Sequence, residues 1–203
     1  MERSIDRAAR KMLEVAQEQG LETAWDRYDA QTPQCRFGAT GLCCRVCVMG
    51  PCRIIEGKAP KGVCGASVDT IAARNLARMI AAGAAAHSDH GRDVAHTLLL
   101  ASQDGDYGVK DPVKLRRVAY SLGIDADGKD DRELAREVAE AALGEFGKQE
   151  GELVFAYRAP EARVERWKRL GIMPRGVDRE IVEIMHRTHM GVDADYKNII
   201  MQG

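Results

Sequence analysis

The chain has 203 residues, of which 45% are hydrophobic and 30% charged, and its formal net charge is -1. This composition suits a globular protein and excludes a disordered or fibrous one, while the missing basic excess argues against a nucleic-acid partner. The longest strongly apolar run, Met79 to Ala86, is far too short to span a bilayer.

The N-terminus, Met1-Glu2-Arg3-Ser4, runs straight into a charged amphipathic pattern with no signal-peptide core, which places the protein in the cytoplasm. From Ile5, apolar residues recur at Ala8, Ala9, Met12 and Ala16, the spacing of one helical face. Ser4 is the expected cap of this helix and Gly20 its stop. A short helical stretch follows around Leu21 to Tyr28, and Thr32-Pro33 breaks the pattern. The segment Cys35 to Gly65 has no usable period and holds six glycines and two prolines, so it reads as a long structured loop of the kind that carries function. Helix resumes at Ser67 with an apolar stripe of Val68, Ile71, Ala72, Leu76, Met79 and Ile80, and continues to Ser102, with Gly91 as a kink or a division. Further helices are expected from Asp111-Pro112, where proline takes the first helical position, and from near Asp130, Pro160 and Val177. Gly123, Gly171 and Gly191 are plausible stops, and only Leu153 to Tyr157 reads as a strand. The expected fold is therefore mainly α, a helical domain with a long cysteine-rich loop. Its segments are N-terminal helices over 1–34, the loop over 35–66 and a helical domain over 67–203.

All six cysteines lie between Cys35 and Cys64, as Cys35-x7-Cys43, then Cys44-x2-Cys47-x4-Cys52-x11-Cys64. A disulfide framework needs an oxidising compartment, for which the sequence gives no sign. Structural zinc takes paired C-x2-C arms or cysteine with histidine, whereas one such pair is present and the nearest histidine is His87. An iron–sulfur cubane needs four thiolates converging on a larger core, and Cys44, Cys47, Cys52 and Cys64 fit that plan, with Pro51 beside Cys52. The loop's glycines let backbone amides approach the sulfurs, and Arg36, Arg45, Arg53, Lys58 and Lys61 face one acid, Glu56. Of the three readings the cluster is the best supported. Cys35 and Cys43 remain over. They are either free buried thiols or half a ligand set that meets its twin on the two-fold axis of a dimer.

The run Phe37-Gly38-x-x-Gly41-x-Cys43-Cys44-Arg45-x-Cys47-x-x-Gly50-Pro51-Cys52-Arg53-Ile54, followed by Gly62-Val63-Cys64-Gly65-Ala66, closely resembles the N-terminal motif of anaerobic nickel–iron carbon monoxide dehydrogenases. So do His87-Ser88-Asp89-His90-Gly91 and His186-Arg187-Thr188-His189-Met190-Gly191-Val192-Asp193, and the resemblance runs over essentially the whole chain. It implies a homodimeric oxidoreductase that interconverts CO and CO2 and passes electrons to a ferredoxin-like acceptor, with acetyl-CoA synthase as a further partner. It implies that Cys44, Cys47, Cys52 and Cys64 hold the 4Fe–4S B-cluster. Cys35 and Cys43 would hold half of the D-cluster, shared across the dimer, and their spacing is similar to the version that carries 4Fe–4S. The family's nickel–iron–sulfur C-cluster takes ligands well downstream of these motifs, and this chain has no cysteine after Cys64. The expectation is thus the family's N-terminal region, inactive by itself, and the alternative is a stand-alone iron–sulfur electron carrier or assembly protein derived from this domain.

The family also carries a histidine row proposed to move protons. Here His87, His90 and His96 fall at steps of three with Asp93 in the intermediate place. Imidazole exchanges protons near neutrality, as a relay needs. On the residues alone a solvated polar helix face is the plainer reading, and the resemblance tips it towards the relay. His186 and His189 are also three apart, but a structural role is expected for them, bonding helix-end carbonyls near Gly191.

Overall fold

Side-chain caps set most helix starts in the computed structural model, which describes residues 3–103 and 105–203. Contacts divide the chain into two units, residues 1–41 and 42–203, each described by itself.

In the first unit, α1 (Arg7–Glu18) is capped by Asp6, whose Oδ1 accepts from the Ala9 N–H at 2.7 Å. Ser4, the expected cap, instead accepts from the Asp6 N–H. A carboxylate is the stronger acceptor at a helix N-terminus, where the dipole favours negative charge. Helix α2 (Ala24–Ala30) starts with a reciprocal capping box between Thr23 and Asp26, and α3 (Arg36–Ala39) is a single turn.

The second unit opens with a two-stranded antiparallel hairpin, β1 (Cys43–Cys44) and β2 (Cys52–Arg53). It then enters α4 (Val68–Ala101), 34 residues capped by Ser67 and about 50 Å long at 1.5 Å per residue. Gly91 does not divide α4, which is continuous from Val68 to Ala101. The ring of Phe146 lies against it, and a glycine's cost inside a helix, about 1 kcal/mol, is too small to break so well packed an element. The remaining helices are α5 (Pro112–Ser121), α6 (Asp131–Gly147), α7 (Glu161–Leu170), α8 (Val177–Arg187) and α9 (Tyr196–Gln202). Asp111 and Asp130 cap α5 and α6 as the sequence predicts, and Gly171 ends α7 in the left-handed conformation. The expected strand at Leu153–Tyr157 is a 3-10 turn over Val154–Arg158. Its amides are already taken: Leu153 donates to the Pro174 carbonyl at 2.7 Å and Val154 to Glu145 Oε2 at 2.7 Å.

Helix α4 is the spine on which α6, α8 and α9 pack. Its buried face is not the stripe of large residues. Ile71 is fully buried, but Leu76 and Met79 are exposed, and the inward positions are Ala73, Ala77 and Ala81. These small residues at four-residue spacing let Ile184 of α8 and Ile199 of α9 close directly on the helix. A second cluster, Leu115, Ala119, Leu134, Ala135 and Val138, joins α5 to α6. Among the described residues no helix is long and apolar enough to cross a membrane.

Candidate iron–sulfur site

Four of the six cysteines sit in or beside the hairpin. Cys44 stands opposite Cys52, and Cys43 opposite Arg53. Successive strand side chains point to opposite faces, so Cys44 and Cys52 share one face while Cys43 belongs to the other. The turn joining the strands carries Cys47, and Gly50 closes it. A Cβ at Gly50 would lie 3.1 Å from the Cys52 nitrogen and 3.2 Å from the Cys44 carbonyl oxygen, so any side chain here would crowd both strands. The return segment then lies against Cys52, whose Sγ accepts from the Val63 N–H at 3.4 Å. Cys64 follows in the turn where the Gly62 N–H bonds the Ala66 carbonyl at 2.8 Å. Backbone N–H groups directed at sulfur are what an anionic thiolate-ligated centre requires.

The hairpin is seated on α4 by a small core of Cys44, Ile54, Ala66 and Ile71, with Val46 and Cys52 packed against it. The Asn75 side-chain amide donates to the Cys43 carbonyl at 3.2 Å. All six cysteines are free of disulfides. Among the described residues, no three side chains of His, Cys, Asp or Glu are gathered tightly enough to hold a single metal ion. What the residues offer is a soft, all-sulfur donor set of four thiols on one hairpin and its return, which matches an iron–sulfur core in its chemistry.

The loop's own cations point outward: Arg45, Arg53, Lys58 and Lys61 are exposed. The cation at a sulfur comes from α4. Arg74, 2% exposed, places Nη1 at 3.5 Å from the Cys64 sulfur. Desolvation opposes ionisation of Cys64, but the hydrogen bond from Arg74, the Ala66 N–H and the Arg74 charge outweigh it and hold the thiol below its ordinary value. Arg74 also donates from Nη2 to the Asp193 carbonyl at 2.7 Å, and Thr70 donates to the Ala194 carbonyl at 2.7 Å. The late segment is therefore strapped to α4 behind the cysteines. Sequence reasoning passed over Arg74, although a lone arginine in the inward register of an alanine face is a readable signal.

The remaining sequence-predicted residues lie on other elements. Cys35 belongs to the first unit, is exposed, and caps α3 by accepting from the Gly38 N–H at 3.4 Å. His87, His90, Asp93 and His96 are all exposed along α4. His186 and His189 are exposed too, and the expected bonding of helix-end carbonyls falls to Thr188 instead. Its fully buried hydroxyl donates to the Ile184 carbonyl at 2.7 Å and accepts from Arg78 at 3.0 Å. A short hydroxyl reaches the preceding turn, which an imidazole standing out into solvent does not.

The sequence profile of the Prismane/CO dehydrogenase family matches residues 42–203, the whole of the second unit. The chain belongs to this family. It is 58% identical, over its full length, to carbon monoxide dehydrogenase 1 of Methanosarcina mazei, and 48% identical over 98% of its length to carbon monoxide dehydrogenase 1 of Carboxydothermus hydrogenoformans. It spans about a third of each relative, 33% and 32% respectively. Among solved structures, a chain of acetyl-CoA synthase/carbon monoxide dehydrogenase superposes with a TM-score of 0.89 at 41% identity, covering 98% of this chain and 31% of that one. A nickel-free carbon monoxide dehydrogenase from Thermococcus sp. AM4 superposes at 0.86 with 48% identity, covering 98% of this chain and 32% of that one. The mainly α fold and the cysteine cluster over residues 43–64 are thus those of a carbon monoxide dehydrogenase family member, consistent with an iron–sulfur region of such an enzyme.

Proposed function

We propose that this chain is the iron–sulfur electron-transfer region of an anaerobic carbon monoxide dehydrogenase. Cys44, Cys47, Cys52 and Cys64 hold a 4Fe–4S B-cluster, and Cys35 with Cys43 supply half of a 4Fe–4S D-cluster completed by a second copy in a homodimer. When bound, such a cluster supplies a one-electron relay. The hairpin fixes two sulfurs on one face, the Val63 amide and Arg74 supply positive potential to Cys52 and Cys64, and the exposed histidine row with Asp93 carries protons to solvent. In the whole enzyme electrons from oxidation of CO to CO2 pass through this region to a ferredoxin-like acceptor, and acetyl-CoA synthase is a further partner. The nickel–iron–sulfur C-cluster draws its ligands from other residues.

The observation that carries this reading is the Cys44–Cys52 pairing across β1 and β2, with Cys47 in the turn and Cys64 on the returning segment. That Cys43 and Cys44 fall on opposite faces of β1 also supports assigning them to two different ligand sets. Reconstitution with ferrous iron and sulfide under strict exclusion of oxygen tests it. Cys47→Ala is expected to lose about four irons per chain, the content of one cubane. Cys43→Ala is expected to keep them and to weaken the dimer. Full iron retention by Cys47→Ala would overturn the ligand set.

A further inference from the structure

Among the described residues, Arg74 is a charge buried without an ion-pair acid. Its Nη1 meets the Cys64 sulfur and its Nη2 a backbone carbonyl, and its Nε is buried with no hydrogen-bond partner among the described residues. The Asp193 carboxylate is turned elsewhere: Oδ1 accepts from the Asp195 N–H at 2.9 Å, and Oδ2 lies 3.6 Å from Arg187. A buried lysine can shed its proton to escape such a position, but a guanidinium cannot. Its charge therefore needs an anion, and among the described residues the candidate in contact is the Cys64 sulfur. An apolar side chain at this buried position would avoid the cost of an unpaired charge, so the position calls for a reason beyond packing.

We propose that Arg74 is the internal counter-charge of the four-cysteine site, a positioning residue that donates to the Cys64 sulfur and raises the reduction potential of the cluster bound there. The inference rests on the cluster reading above. Reduction adds one electron and no proton or bond, so the site becomes one unit more negative and a fixed cation beside a ligand sulfur favours the reduced form. Arg74 does this from outside the loop, through a helix that also carries the 193–194 strap, so the same side chain ties the late segment to the site.

The full chain, reconstituted anaerobically, is titrated with dithionite in the presence of mediators and followed by electron paramagnetic resonance, with iron, sulfide and helix content measured alongside. Arg74→Gln keeps a donor for the Asp193 carbonyl but removes the charge. It is expected to shift the oxidised-to-reduced equilibrium at least tenfold towards oxidised, a midpoint lower by about 59 mV for one electron. Thr70→Val cuts the neighbouring strap to Ala194 without touching charge, and is expected to melt earlier at an unchanged midpoint. A wild-type midpoint in Arg74→Gln, or an equal shift in Thr70→Val, overturns the proposal and reduces Arg74 to a strut. If Arg74→Gln fails to fold or to load, Arg74→Lys decides. Read at pH 6, where the lysine is held charged, a loaded cluster with a midpoint within the tenfold range of wild type supports the counter-charge, and an empty site or a larger fall at that pH refutes it. A wild-type chain that binds no cluster instead refutes the cluster reading itself.

Discussion

Ile71 is the apolar residue through which α4 packs on the cysteine hairpin, and replacing it separates seating from ligation. It is 0% exposed and packs on Cys44, Ile54 and Ala66, yet contributes no atom to any sulfur. Ile71→Ala removes the side chain beyond Cβ, a loss of roughly 0.8 kcal/mol per buried carbon plus the energy of the cavity left behind. The neighbours cannot collapse freely, because Cys44 and Cys52 are tied across the strand pair. The cost should therefore fall in the upper half of the usual range, about 4 kcal/mol, against about 1 kcal/mol for Ile71→Val. For a chain of this size that is a fall in melting temperature of roughly 8–16 °C for the alanine variant and 2–4 °C for valine. Urea and thermal denaturation followed by far-ultraviolet circular dichroism read both. Iron uptake should slow in Ile71→Ala although every cysteine remains. An alanine variant within about 1 kcal/mol of wild type, or equal losses in both variants, would refute the claim that this contact seats the hairpin.

Other substitutions probe the frame. Gly83→Ala and Gly91→Ala lie inside α4 where an added Cβ meets open space and the Phe146 ring at 3.5 Å, respectively, so each should stabilise by about 0.5–1 kcal/mol in denaturant titrations. Gly176→Ala should do the reverse, because its Cβ would fall 2.2 Å from the Lys148 carbonyl oxygen, and a soluble yield or melting point equal to wild type would contradict that. Glu180 and Glu183 are partly buried, which raises their pKa values, but hydrogen bonds from Arg175 outweigh burial and hold both below the ordinary 4.5. Their folded pKa values are depressed, so their contribution is present above about pH 4.5 and is lost as pH falls through the lower folded values. Acid titration of Glu183→Gln should accordingly show a shallower loss of stability below that point than wild type.

Much of the helical frame was legible because its signals are local. Asp111-Pro112 and Asp130 sit within one turn of the helices they start, and Gly171 within one residue of the helix it ends. The crowding of cysteines was equally plain. What escaped depends on partners far along the chain. Arg74 meets Asp193, 119 positions on, and Thr188 meets Arg78, 110 positions back. The inward face of α4 was misread for the same reason: Leu76 and Met79 look like core by size, but the approach of α8 and α9 selects Ala73, Ala77 and Ala81. At Leu153 the apolar run suggests a strand, and only the prior engagement of its amides by Pro174 and Glu145 shows why none forms.

The most direct test of the whole account is the metal and sulfide content of the unmodified chain prepared without oxygen. Iron and acid-labile sulfide in equal amounts, about four of each per chain and rising to about six when the dimer is complete, are the expected result. One zinc per chain with no sulfide would contradict it.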